Sequence, residues 1–185
     1  MMTEISLNIL DIAQNSVKAG ASLIEINIII DIPADKLEVE IKDNGCGMTS
    51  EQLRQAEDPF YTTRTTRKVG LGVPFFKYAA LGTGGEFLIE SEIGTGTRVL
   101  AVFKYSHIDR MPLGEINRTI HTLVCFNTHI DFVYIYQYNQ RSFTLDTREF
   151  KEILGDVRLD EPEVSRYILA FLNENKNETD GGAVI

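Results

Sequence analysis

Residues 43–48 read Asp-Asn-Gly-Cys-Gly-Met and follow residues 37–42, in which apolar and charged side chains alternate. An alternation with a period of two predicts a strand with one buried face. Asp43 would then close a strand, where its carboxylate can accept a hydrogen bond from an amino group. Gly45 and Gly47 would let the backbone approach a flat ligand closely. A tight turn between a strand and a helix is the alternative interpretation, and this stretch taken alone does not choose between the two.

An amphipathic helix is predicted upstream, over residues 4–19, with Gly20 in the position of a C-cap. Asp11 and Asn15 are four residues apart and therefore project from one face of this helix. An amide oxygen suits Mg²⁺, which prefers oxygen ligands and keeps waters and substrate phosphates in its shell. A carboxylate beside it can take a proton from an attacking water or hydroxyl. Two polar residues on a solvated helix face are the alternative.

A long loop is predicted downstream, because residues 58–68 have no core periodicity. Hydroxyls, three cations and two glycines lead from this loop into a further helix, and the run reads Phe60-Tyr61-Thr62-Thr63-Arg64-Thr65-Thr66-Arg67-Lys68-Val69-Gly70-Leu71-Gly72. The free N–H groups and the dipole of a helix start favour phosphate. Three cations so close together are unusual in a chain of net charge −9. A solvated loop is the alternative.

A fourth glycine-containing motif, Gly94-Thr95-Gly96-Thr97, lies between strands predicted over 86–90 and 97–104. The ordinary interpretation is a hairpin turn. The functional interpretation is a hydroxyl, that of Thr97, placed beside Asp43.

Composition narrows the class of function. The 185 residues include 18 Lys and Arg against 27 Asp and Glu. Nucleic-acid and membrane-surface binding both depend on clustered positive charge, so we expect neither. Two cysteines are too few for a disulfide scaffold, and no apolar run has the length of a signal peptide or a membrane span. We therefore expect a cytoplasmic location.

The character of the chain changes near residue 107. Beyond it, helices are predicted over 113–125, 149–154 and 163–172, and alternating aromatic residues predict a strand over 132–138. We therefore divide the chain into a domain over 1–106 and a small C-terminal α/β extension over 107–185, whose polar tail, 173–185, we expect to be disordered. The tyrosine-bearing strand is either a core face or a partner surface.

The order of the four motifs resembles the GHKL ATPase superfamily, which includes gyrase, chaperone, histidine kinase and mismatch-repair ATPases. The resemblance covers roughly residues 4–104 and rests on Asn15, Asp43-x-Gly45-x-Gly47, the threonine-rich loop with Gly70-x-Gly72, and Gly94-x-Gly96-Thr97. It implies a two-layer α/β sandwich, with a mixed sheet and helices on one face, that binds ATP between helices and a lid. The P-loop pattern Gly-x-x-x-x-Gly-Lys-Ser/Thr does not occur in the sequence.

The resemblance also implies roles for individual residues. Asn15 would hold Mg²⁺ bridged to the ATP phosphates, and Lys18 would meet phosphate as in histidine kinases. Asp43 would read the adenine amino group, with Thr97 supporting it through a water. The other implied contacts are Gly45, Gly47 and Met48 in the base pocket, Thr62, Thr63 and Arg64 in the lid, and Gly70, Leu71, Gly72 and Val73 at the phosphates.

The first helix has features of two branches of the superfamily. Ala19-Gly20-Ala21 is similar to the mismatch-repair type, whereas Lys18 is similar to the histidine-kinase type. Asp11 occupies a position that is usually Asn in histidine kinases and usually Glu, the general base, in hydrolysing members. An aspartate keeps the carboxylate but loses one methylene of reach, which affects positioned proton transfer.

Three functions follow from this resemblance. We expect no helical hairpin with an acceptor histidine before the ATPase region, and His107, His121 and His129 all follow that region. We therefore expect an ATP-binding kinase or regulator that acts on a separate partner protein. A stand-alone ATPase with Asp11 as general base is one alternative, and a non-catalytic, ATP-gated binding switch is the other. The sequence does not decide whether the chain forms a homodimer through residues 107–185.

Overall fold

The structure is a computed structural model that describes residues 3–58 and 72–185. Within these residues the elements are α1 (Ile5–Lys18), β1 (Leu23–Asp31), β2 (Lys36–Asp43), α2 (Ser50–Ala56), α3 (Gly72–Gly82), β3 (Glu86–Glu92), β4 (Gly96–Lys104), α4 (Ile116–Phe126), β5 (Asp131–Tyr138), β6 (Arg141–Asp146), α5 (Thr147–Leu154) and α6 (Pro162–Asp180). None of the described helices is both long enough and apolar enough to cross a membrane.

The strands form one mixed sheet in the order β3-β4-β2-β1-β5-β6. β1 and β5 are parallel, and the other neighbouring strands are antiparallel. The register between β2 and β4 places Asp43 opposite Thr97. The end of β2 therefore meets the start of β4.

The helices cover one face of the sheet. In β1, Ile24, Ile26, Ile28 and Ile30 are buried, and the side chains between them are half-buried. This alternation is the one expected when a strand packs one face against helices and leaves the other partly solvated. The two-layer α/β sandwich with a mixed sheet is confirmed.

Helix α1 has two functionally different faces. Its apolar side buries Ile5, Ile9 and Ile12 against the sheet, and each such burial contributes about 1.5–3 kcal/mol to folding. The opposite side carries the exposed residues Asp11 and Asn15, together with Lys18 in the last turn. Since the isoleucines fix the rotation of the helix about its axis, these polar side chains point away from the core.

The C-terminal segment differs from the expected disordered tail. Helix α6 continues to Asp180, which is buried and accepts hydrogen bonds from the Tyr136 hydroxyl (2.8 Å) and the Lys176 ammonium (2.6 Å). The expectation that 173–185 is disordered is therefore wrong, because its polar residues bind a buried partner on β5. The division of the chain at residue 107 stays a prediction, although β5 and β6 belong to the same sheet as β1–β4.

Replacing Asp180 by alanine should destabilise the fold, since the change removes the acceptor of the buried Tyr136 hydroxyl. We expect the free energy of unfolding to fall by about 1–3 kcal/mol, the usual cost of an unsatisfied buried polar group. Urea denaturation at neutral pH measures this loss. The control is Glu174→Ala, which changes an exposed residue of the same helix, and equal losses in both variants would contradict the role of Asp180.

The contribution of Asp180 should also depend on pH. Burial alone would raise its pKa, but the hydrogen bonds from Lys176 and Tyr136 outweigh burial and hold the pKa below the ordinary aspartate value. A lowered folded-state pKa stabilises the fold above the unfolded pKa, and that contribution is lost as the pH falls through the folded pKa. The stability difference between wild type and Asp180→Ala should therefore be full at pH 7 and shrink below about pH 4. A stability difference between the two proteins that grows towards acid pH would contradict a lowered pKa of Asp180.

Candidate functional site

A cavity of about 370 Å³ opens between α1, α2 and the ends of β2, β3 and β4. Its volume is in the range of small-molecule sites. Its apolar walls are Ile12, Ile41, Met48, Val73, Ile89 and Val99, and its polar lining includes Asn15, Ser16, Asp43 and Thr97. An apolar slot with a few converging polar groups is suited to a flat, partly polar ligand.

The carboxylate of Asp43 is held from two sides. The residue is only 8% exposed, so its oxygens depend on partners within the protein. The Ser16 hydroxyl donates to Oδ2 at 2.5 Å, and the Gly45 N–H donates to Oδ1 at 2.9 Å. Each oxygen thus has one protein donor and further acceptor capacity, which can serve a ligand in the cavity.

The loop after Asp43 is tied to three neighbouring segments. The Asn44 amide oxygen accepts from the backbone N–H groups of Ser22 and Leu23, both at 2.9 Å. The Cys46 N–H donates to the Ala19 carbonyl at the end of α1, and the Gly94 N–H donates to the Cys46 carbonyl. These bonds connect the loop to α1, β1 and the β3–β4 turn, so the cavity wall is preformed.

Gly47 is required because the backbone of Glu92 packs closely against it. Its φ is +66°, and an added Cβ would lie 1.9 Å from the Glu92 carbonyl oxygen. At Gly45 an added Cβ would lie 2.9 Å from that of Ala19. The sequence suggested that these glycines admit a ligand, whereas the structure gives each a close contact within the chain. Gly47 and Met48 also line the cavity, whereas Gly45 is not among its lining residues, and the base contact implied for the three stays a prediction.

The polar face of α1 lies beside the start of α3. A Cβ at Gly72 would be 2.9 Å from Oδ2 of Asp11, so the first turn of α3 faces that carboxylate. Asn15, one turn further along α1, lines the cavity. The first described turn of α3 and the polar face of α1 therefore lie next to each other beside the cavity, and Asn15 and Val73 line it.

Some of the predicted site residues lie outside the described part of the chain, and for them the implied lid and phosphate roles stay predictions. They are Thr62, Thr63, Arg64, Gly70 and Leu71. Gly72 and Val73, which begin α3, are described and buried. Val73 lines the cavity, and the implied phosphate contacts of Gly72 and Val73 stay predictions. Lys18 is exposed at the end of α1, and its phosphate contact stays a prediction.

Three polar residues of this region were missed by the sequence analysis as members of the site. Ser16 continues the buried stripe of α1, and a hydroxyl at a core position requires a partner, which could have identified it. Asn44 lies within the quoted hexapeptide. The Ser91 Oγ lies 2.9 Å from the Thr97 Oγ1, a contact that only the pairing of β3 with β4 creates.

A capping box begins α2. The Gln52 N–H donates to the Thr49 hydroxyl at 3.1 Å, and the Thr49 N–H donates to the Gln52 side-chain oxygen at 2.8 Å. These reciprocal bonds satisfy two free N–H groups at the helix start. They fix the helix that closes one side of the cavity.

Comparison with known families identifies this arrangement. Residues 2–107 match the family model described as histidine kinase-, DNA gyrase B-, and HSP90-like ATPase. The chain belongs to this family. The match confirms the resemblance drawn from the four motifs and covers the elements that form the cavity, from α1 to β4.

Individual relatives match over part of their length. Sporulation kinase E of Bacillus subtilis (strain 168) is 39% identical over 74 residues, which cover 38% of this chain and 10% of that kinase. Sporulation kinase C of the same organism is 33% identical over 88 residues, which cover 48% of this chain and 20% of that kinase. The chain thus spans a small part of the length of these kinases.

A solved structure of the N-terminal domain of a DNA repair protein shares the fold. The TM-score is 0.54 at 15% sequence identity, over 78% of this chain and 52% of that chain. The likeness extends beyond the part matched by the family model, since 78% of the chain exceeds residues 2–107.

Gly47→Ala should destabilise the protein, because the new methyl group would collide with the Glu92 carbonyl and because φ is positive. We expect a loss of roughly 1–3 kcal/mol in the free energy of unfolding, the cost of a strained backbone position. The matched control is Gly82→Ala in α3, where an added Cβ would meet nothing within 4 Å. Urea denaturation of both variants gives the comparison, and an equal effect of the two changes would refute the packing role of Gly47.

Proposed function

We propose that this chain binds Mg-ATP in the cavity beside Asp43 and phosphorylates or regulates a separate partner protein. The observation that carries the proposal is the buried Asp43 carboxylate, held by Ser16 and Gly45 at the polar end of an apolar slot. Membership of the ATPase family supports ATP as the ligand. A cytoplasmic location, where ATP is abundant, belongs to the same proposal.

The base would lie between the apolar walls of the cavity. Its amino group would donate to Asp43, which has acceptor capacity left after its two protein hydrogen bonds. Ile12 and Val99 would contact the two sides of the slot. Thr97, opposite Asp43 in the sheet, would support the contact through a water.

The phosphates would extend towards the start of α3 and the polar face of α1. Lys18 adds a positive charge near the end of α1. Asn15 fits a Mg²⁺ ligand, since it supplies an amide oxygen at the cavity and lies one turn from the Asp11 carboxylate. Within residues 3–58 and 72–185 no three His, Cys, Asp or Glu side chains cluster as a metal site. The ion would therefore bind together with the nucleotide phosphates, whose charge it would neutralise.

A protein partner is supported by exposed apolar residues on α1 and α3, the two helices that approach each other at Asp11 and Gly72. Leu7, one turn before Asp11 on α1, is 40% exposed. Phe75 and Tyr78, in the first two turns of α3, are 37% and 60% exposed. Exposed apolar side chains grouped next to a site mark interaction surfaces. A partner protein bound to these residues would present its acceptor side chain to the phosphate end of the nucleotide, which would lie beside Asp11.

A stand-alone ATPase is the second candidate, and the contact between Asp11 and the start of α3 favours it. If the phosphates extend towards Gly72, the Asp11 carboxylate beside it would be positioned to take a proton from a water attacking the terminal phosphate. In the kinase, the same carboxylate would take the proton of the acceptor group. The two reactions differ in their acceptor and require the same position of Asp11.

Calorimetric titration of the purified chain with Mg-ATP tests the binding proposal. Asp43→Asn should weaken binding about tenfold to a hundredfold, because a hydrogen bond to a charged group contributes about 1.5–3 kcal/mol. Asp156→Asn, at an exposed aspartate of the C-terminal segment, is the control and should bind as wild type does. Absence of ATP binding by the wild-type chain would overturn the proposal.

Phosphate release from Mg-ATP separates the catalytic candidates. A stand-alone ATPase should release phosphate without a partner, and Asp11→Asn should reduce that rate about 10²–10⁴-fold, the usual contribution of a general base, with ATP binding kept. Binding without release in the isolated chain would favour the kinase or the ATP-gated switch. Release that is equal in wild type and Asp11→Asn would contradict Asp11 as the base.

A further inference from the structure

Helix α2 covers one side of the cavity and is anchored only lightly in the core. All seven of its residues are described, and none of them is fully buried. Leu53 packs partly against the core, whereas Gln52, Gln55 and Ala56 line the cavity. A short surface helix takes most of its stability from the packing of its apolar side chains. Helix α2 therefore depends on other contacts to keep its distance from the opposite wall.

Helix α3, by contrast, is anchored firmly. Phe76 is buried, and the centre of its ring lies 6.3 Å from that of Phe87 and 5.8 Å from that of Phe103. Ala80, one turn later, is buried as well. Val73, which lines the cavity, lies three residues before Phe76 and is its neighbour on the helix surface. The aromatic packing of Phe76 thus also fixes the position of Val73.

An ion pair joins the two helices. The Lys77 ammonium donates to the Glu57 carboxylate at 3.1 Å. Glu57 is the C-cap of α2, and Lys77 lies four residues after Val73, on the same face of α3. The two side chains are only 34% and 32% exposed. Salt therefore screens their attraction less than that of a fully exposed pair.

The ion pair acts at the end of α2 that lies away from the capping box. The hydrogen bonds between Thr49 and Gln52 fix the start of the helix. Glu57 follows its last turn, so the two contacts hold opposite ends of α2. Gln55 and Ala56, which line the cavity, lie close to the end held by Glu57.

We propose that Glu57 and Lys77 are positioning residues, whose ion pair sets the distance between α2 and α3 and thereby the fit of the cavity around a nucleotide base. The inference rests on the proposed ATP binding in the same cavity. Both residues lie outside the described lining of the cavity, so they act through Ala56 on one side and Val73 on the other. Without the pair, α2 would move relative to α3, and ordering it again would reduce the affinity for a ligand.

Calorimetric titrations with Mg-ATP and Mg-ADP test this role. Lys77→Met and Glu57→Gln should each weaken binding about twofold to fivefold, the effect that ion pairs with partly exposed side chains have in double-mutant cycles. Both nucleotides should lose the same factor, because they share the base. A direct contact between Lys77 and a phosphate would instead weaken ATP more than ADP, and that result would overturn the inference.

The double variant Glu57→Lys/Lys77→Glu separates positioning from the loss of a charge. It restores opposite charges across the same gap, so most of the lost affinity should return. A negative charge at position 77 could not replace a phosphate contact. A double variant that binds both nucleotides as weakly as Lys77→Met would therefore contradict the proposed role.

Lys151→Met is the matched control for stability. Lys151 pairs with Asp131 at 2.6 Å in the C-terminal segment, and these side chains are 32% and 36% exposed. This variant should bind both nucleotides as wild type does. Equal losses of affinity in Lys77→Met and Lys151→Met, or unchanged affinity in Lys77→Met, would overturn the inference while ATP binding by the wild type stands. Failure of the wild type to bind either nucleotide would overturn the proposed function and this inference with it.

Discussion

The packing of α1 against the sheet determines where the cavity and its polar groups lie. Ile5, Ile9 and Ile12 bury one stripe of the helix, which fixes its rotation about its own axis. Ser16 continues that stripe and meets Asp43 at the end of β2. The opposite stripe then carries Asp11 and Asn15 towards the start of α3. The packing of this one helix thus sets the positions of both the Asp43 carboxylate and the polar face of α1, to which the proposed function assigns the base and the phosphates.

The wall of the cavity beside Asp43 is held by hydrogen bonds within the protein. Asp43 already has two protein donors, and the loop after it is hydrogen-bonded to α1, β1 and the β3–β4 turn. A ligand that enters such a site pays little ordering entropy in the protein around its base.

Much of the fold could be predicted from local sequence patterns. The alternation over residues 37–42 and the spacing of the α1 isoleucines each reflect one buried face, and both elements form. The order of the glycine motifs predicted membership of the ATPase family. Such motifs are recognisable in a sequence because each glycine serves a particular turn or close contact. The parallel pairing of β5 with β1 could not be read in this way, since it joins residues about a hundred positions apart.

The polar interactions of the core were the harder part to predict. Residues 173–185 are rich in polar side chains and predicted a disordered tail, yet the buried Asp180 binds Tyr136 and Lys176. The hydroxyls of Ser16 and Ser91 gave no distinct motif, because their partners lie on other strands and helices. Local patterns report which residues are buried, and the partner of a buried polar group follows only from the tertiary structure.

The most direct test of a nucleotide site beside Asp43 is a two-dimensional ¹H–¹⁵N NMR titration of the full chain with Mg-ATP. The account predicts that the amide signals of Ser16, Gly45 and Gly47 shift, while those of Gly155 and Gly181 in the C-terminal segment stay in place. No shifts at the first three residues, or shifts confined to the last two, would contradict it.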